Sequence, residues 1–174
     1  IAASLMLAAC VPSSTAPAPA PTPAAPPVQR PTATRPAPVP QAPAFDSWMD
    51  APATAGSWRY QPVAGGSLAV FVGGTAGEFA LSCNRDTRSI ALTRYGGTRA
   101  AEAIIIRSET ATRSLPVTQS GANPVQAVTT LAPSDPLLDA VALSKGRFAV
   151  ETSGLPTLYL PSHAEVSRVI EDCR

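Results

Sequence analysis

Twelve of the twenty prolines fall between residues 11 and 45, in the stretch VPSSTAPAPAPTPAAPPVQRPTATRPAPVPQAPAF. Proline fixes φ and carries no amide proton, so a segment this dense in it builds neither a helix interior nor a central strand. Only Arg30 and Arg35 are charged there, and the segment's apolar side chains other than alanine and proline are limited to Val11, Val28, Val39 and Phe45. It is therefore expected to be an extended, polyproline-like tether, reaching on the order of 100 Å at roughly 3 Å per residue. Whatever folds must lie in residues 46–174, enough chain for one ordinary domain.

Ahead of the tether stands IAASLMLAAC, residues 1–10. Residues 1–9 are too short to span a bilayer, which takes about 20 apolar residues, but they suit the end of a signal-peptide apolar region. Leu7-Ala8-Ala9-Cys10 resembles a bacterial lipobox, in which a leucine and two small residues precede the cysteine that receives acyl chains, palmitate among them. The resemblance implies a mature chain that begins at Cys10 and is held by lipid. Residue 11 is Val, not Asp, and by analogy with lipoprotein sorting this favours the outer membrane, with the domain facing the periplasm or the cell surface.

With Cys10 assigned to the anchor, Cys83 and Cys173 remain as a pair in an oxidising compartment. A disulfide between them is expected, the alternative being two separate buried thiols. The bridge would close a loop of about 90 residues, for which chain entropy gives about 4 to 5 kcal/mol. No C-x-x-C spacing points to a redox role.

The pattern of residues 46–174 predicts a mainly β fold, an antiparallel sandwich or open barrel with two short helices, the last at the C-terminus. SWRYQ (57–61) and SLAVFVGG (67–74) read as strands, and EFALSCNRDTRSIALTRYGG reads as a hairpin turning at Asn84–Thr87. Residues 101–117 form one long β-rich run ending near Pro116, and NPVQAVTTLAP gives another after a turn at Ser120–Asn123. GRFAVETSGLPTLYLPS reads as two short strands around Ser153-Gly154. Asp135 with Pro136 marks a helix start stopped by Gly146. The last helix opens with the capping box Ser162-x-x-Glu165 and puts Val166, Val169, Ile170 and Cys173 on one stripe.

The chemistry is sparse. The single histidine, His163, falls in the first turn of the last helix, where an exposed polar residue is ordinary. A hydrolytic triad needs a base and a metal site needs several ligands, so no metal, no cofactor and no enzymatic activity are expected. Nucleic acid is not implied, because residues 46–174 hold eleven basic and twelve acidic residues. Trp48 and Trp58 are candidates for stacking on a sugar or anchoring a partner, although core packing is the plainer reading of Trp58. Arg107 and Arg113 share an outward parity with Glu109 and are the candidates for a face that meets peptidoglycan carboxylates or lipid phosphates; a weak surface pair with Glu109 is the alternative. Arg88 and Arg94 share the parity of Ile90 and Leu92, so they are expected at strand ends.

The order of features, from LSC through DPLLDAVALSKGRFAVE and GLPTLYLP to a closing helix with a cysteine, resembles envelope lipoproteins of alphaproteobacteria. Phe148, Gly154, Leu155 and Cys173 also resemble a late pattern in type VI secretion accessory proteins of the TagO kind. The anchor, β domain and single disulfide are similar in architecture to lipid-anchored lysozyme inhibitors. Their Ser-Gly-x-x-Tyr loop is missing, since Ser120-Gly121 is followed by Pro124 where the aromatic belongs. These readings imply a non-catalytic outer-membrane lipoprotein, a tethered structural or assembly module partnered by peptidoglycan or an envelope complex. The alternative is an inhibitor or ligand-binding module.

Overall fold

The computed structural model describes residues 47–97, 99 and 101–174, so Cys10, the Pro/Ala-rich segment and Asp46 lie outside the described residues. Ten strands and two helices follow one another: β1 (Ser57–Val63), β2 (Gly66–Gly73), β3 (Ala76–Asn84), β4 (Ser89–Tyr95), β5 (Ala103–Arg107), β6 (Thr112–Pro116), β7 (Thr118–Ser120), β8 (Gln126–Leu131), α1 (Pro136–Ala142), β9 (Arg147–Thr152), β10 (Leu158–Pro161) and α2 (Ala164–Glu171). The strands make two antiparallel sheets, ordered β1-β2-β3-β4-β8-β7 and β10-β9-β5-β6, with neither closed into a barrel. The expected antiparallel sandwich with a terminal helix is the observed fold.

Period-2 alternation decides which side chains meet between the sheets. Across the larger sheet, Trp58, Phe71 and Phe79 stand in one row and Leu81 and Leu92 in the next. The smaller sheet answers with Ile104, Ile106, Phe148, Val150, Leu158 and Leu160, all buried. Phe148 joins the layers: its ring lies 6.4 Å from Trp58 and 6.3 Å from Phe79, centroid to centroid. Trp58 also donates from Nε1 to the Pro161 carbonyl at 2.8 Å, so its one polar atom is satisfied inside the core.

Both helices pack where apolar residues demand cover. Asp135 caps α1 by accepting from the Leu137 amide at 2.9 Å, with Pro136 at the first helical position, and Leu137, Leu138 and Val141 turn inward. α2 lies against β1, β2, β3 and α1 and buries Val166, Val169 and Ile170. Burial of that size is worth up to about 1.5 to 3 kcal/mol per side chain. Just past α2, Cys173 bonds Cys83 of β3, their Cα atoms 5.4 Å apart, within the usual span of a disulfide.

Three sequence expectations change. Residues 101–117 are not one run but the hairpin β5–β6. Its turn hides in polar residues that keep the alternation, and it closes by mutual bonds between Ser108 and Ala111. Ser120 is the last residue of β7 rather than the first of a turn. The capping box at Ser162 does not form: His163 occupies the N-cap without a side-chain bond, and the Ser162 hydroxyl instead donates to the Val141 carbonyl at 2.9 Å, tying α2 to α1.

Candidate functional site

The residues singled out in the sequence do not assemble. Trp58 is 5% exposed and belongs to the core, so it offers no binding surface. Trp48 sits half-buried in the turn ahead of β1. Arg107 does not pair with Glu109. It crosses to Glu151 on β9, at 2.5 Å from Nε, because β5 and β9 are neighbours and the two side chains stand diagonally across the ladder. Glu109 pairs instead with Lys145 at 3.3 Å. Arg113 reaches Asp135 at 2.7 Å. This bond is the first cause holding the Asp135 carboxyl below its ordinary value, and the α1 amide it also accepts from acts in the same sense. Arg107 and Arg113 are thus each neutralised by a different acid, and the proposed recognition face is divided between two ion pairs.

Arg88 follows expectation, lying in the β3–β4 turn with φ of +48°. Arg94 also stands at a strand end, one residue from the last of β4, but it points inward between Phe79 and Ala127 and is only 5% exposed. Its position is explained by a bulge. The β2–β3 register shifts between Phe71 and Val72, which leaves Glu78 as an extra residue on β3 with its carbonyl released from the ladder. Arg94 Nη1 donates to that carbonyl at 2.8 Å and to the Tyr95 carbonyl at 3.2 Å, while Nη2 makes a long contact to the Pro156 carbonyl at 3.4 Å. Nε has no partner, and among the described residues no carboxylate lies within ion-pair distance of the guanidinium. Burial pulls its pKa below the ordinary value and the Glu78 charge draws it partly back.

Arg94 lines a cavity of about 540 Å³ at this end of the sandwich. The walls are Gly77 and Glu78 of β3, Tyr95 and Gly96, Pro124 ahead of β8, and Pro156 to Leu158 entering β10, with Thr54 completing the rim. Gly77 lets the wall pack closely, since a Cβ there would lie 3.0 Å from Val70 Cγ1, a tight contact, and 3.6 Å from the Tyr95 ring. Burial pushes the Tyr95 hydroxyl above its ordinary pKa and keeps it neutral. The cavity thus sets a buried cation and a half-buried carboxylate in largely apolar walls, the makeup of a small-molecule site.

A second polar cluster holds the end of α2. Tyr60 donates to Asp172 Oδ2 at 2.8 Å, and Arg168 lies 4.2 Å above the Tyr60 ring. The Asp172 carboxyl is held below its ordinary value first by the Ser67 hydroxyl and then by Tyr60. Of the two, Tyr60 makes the well-formed bond, whereas the buried Ser67 hydroxyl meets no partner in hydrogen-bond geometry, so Tyr60 is the firmer cause. This cluster joins helix to sheet.

His163 is exposed, and among the described residues no three of His, Cys, Asp and Glu gather as metal ligands. No described helix is long and apolar enough to cross a membrane.

No family model, curated protein or solved structure matches this chain. The site therefore has to be read from its own chemistry. Arg94 was visible in the sequence as a charged residue at apolar parity, and that conflict was the available sign of it. Glu78, Pro124 and Pro156 carried no sign, because a bulge and two loops bring them together.

Proposed function

We propose that the chain is a non-catalytic lipoprotein of the bacterial outer membrane, anchored through Cys10. Its β domain works in the periplasm as a structural or assembly module, with peptidoglycan or an envelope protein complex as partner. The observation that carries this reading is the buried Cys83–Cys173 bridge, which suits an oxidising compartment and agrees with the Leu7–Cys10 motif. Several acyl chains, at about 0.8 kcal/mol for each buried methylene, give lasting attachment without a spanning helix. The test is to fractionate cells carrying Cys10→Ala: the variant is expected to leave the membrane pellet, and equal retention would overturn the anchor. Cross-linking of the intact protein in envelopes is expected to capture envelope machinery.

A second reading, a ligand-binding or inhibitor module, is favoured by the cavity beside Arg94. A charge sits there at a cost of burial without an acid to pair it, which is a poor arrangement for stability alone.

A further inference from the structure

Two groups in the Arg94 cavity remain chemically open. The guanidinium makes both Nη1 bonds to carbonyls, but its Nε is buried and unpartnered and its Nη2 contact to the Pro156 carbonyl is long, so the Nε–Nη2 edge is the one a stronger acceptor takes when the Pro156 loop moves aside. A carboxylate fits that edge bidentately, as the same edge of Arg107 does with Glu151. The second open group is Glu78. It lines the same cavity, makes no ion pair among the described residues, and stands farther than 4 Å from the arginine. Its carboxylate lies over Gly73, where an added Cβ would overlap Oε1, so that glycine leaves room for it.

A bare anion such as phosphate would be drawn to Arg94 and repelled by Glu78, and a bare cation would meet the reverse. A neutral ligand would leave both charges desolvated without compensation. A molecule carrying a carboxylate and an ammonium a few ångströms apart answers both. The Pro124 and Pro156 rings, Leu158 and the Tyr95 face offer apolar surface to whatever joins the two charges. The volume of about 540 Å³ has room for a short peptide.

We propose that this cavity binds a zwitterionic amino acid or short peptide, with its carboxylate on the Nε–Nη2 edge of Arg94 and its ammonium on Glu78. The inference rests on the ligand-binding reading and not on the lipid anchor. In the bound state the carboxylate replaces the long Nη2 contact to Pro156, so the β9–β10 loop must yield slightly while the two Nη1 bonds hold the guanidinium in place.

The test uses the purified, oxidised full chain, with two-dimensional amide NMR and three probes: L-alanyl-L-alanine, its N-acetyl form and its C-terminal amide. The zwitterion is expected to shift amides of Tyr95, Gly96 and Thr157 and to bind at least about tenfold more tightly than either blocked form, since each blocked form loses one charge-assisted contact. Glu78→Gln should weaken the zwitterion by about tenfold or more and leave the N-acetyl form unchanged or tighter. Glu78 makes no side-chain hydrogen bond among the described residues but its charge favours the buried Arg94 cation, so this variant is expected to stay folded and to melt only slightly below the wild type. Equal binding by all three probes would overturn the zwitterion and leave a ligand cavity standing. No shift with any probe up to ~10 mM, where even a millimolar complex is mostly formed, would overturn both for short peptides.

Discussion

Replacing Cys83 and Cys173 together by alanine removes the one covalent link between the end of the chain and the larger sheet. The two cysteines are 90 residues apart. The chain-entropy relation then gives about 4.6 kcal/mol of stabilisation at 25 °C, all of it exerted on the unfolded chain. For the 126 described residues the unfolding entropy near the midpoint is about 0.26 kcal/mol/K, so the expected drop in Tm is about 17 °C. Both cysteines are nearly buried, at 3% and 5% exposure, and trimming their sulfurs adds a smaller packing loss in the same direction. Circular dichroism melts of the wild type, oxidised and reduced, and of the double variant give the comparison. Reduced wild type and variant should melt within a few degrees of each other, well below the oxidised protein. A drop of under about 3 °C would mean that the unfolded chain is already compact around these two residues, and the reasoning from loop closure would fail. Alkylation of the unfolded, non-reduced protein should find neither of these thiols free.

Two further outcomes are expected. Tyr60→Phe keeps the ring beneath Arg168 but removes the donor to Asp172. Because the folded Asp172 pKa is depressed, its contribution is present above the unfolded value near 4 and is lost as pH falls through the folded value. The variant should therefore be about 1 kcal/mol less stable at pH 7, with the difference shrinking below about pH 4, as read from urea melts across that range. Arg107→Gln with Arg113→Gln breaks two ion pairs whose arginines are each 38% exposed, and should cost about 0 to 1 kcal/mol per pair. Co-sedimentation with peptidoglycan or anionic vesicles should not change, and a salt-sensitive loss of binding would restore these arginines as a recognition face.

Much of the fold was readable because alternation and capping are local. The β3–β4 hairpin showed in Phe79, Leu81 and Cys83 followed by Ile90 and Leu92, and α1 showed in Asp135 and Pro136. The stripe that set Cys173 beside Val169 and Ile170 also gave the disulfide its geometry. Local rules failed where a distant partner decided the outcome. Nothing near Arg107 in sequence names Glu151, which lies 44 residues away on a neighbouring strand. Ser162 had a legitimate local cap to make, and the Val141 carbonyl of another helix took its hydroxyl instead. The Arg94 site was hidden for the same reason, since a bulge at Glu78 and the Pro156 loop exist only once the sheets have paired.

The Cys83–Cys173 bridge also makes a closed covalent ring of everything from the end of β3 to the end of α2, leaving β1, β2 and most of β3 outside it. A mechanical load entering ahead of Ser47 and resisted at Cys173 or Arg174 can draw out only the residues before Cys83, because the bridge carries the force past the ring. That is 36 residues from Ser47 to Cys83, or about 120 Å of extended chain, after which force falls on a covalent bond. β1 is an edge strand and would peel first, and β2 would follow, while β4 to β10 stay tethered in register. Under that load the domain lengthens only in part, and the strands inside the ring carry no tension.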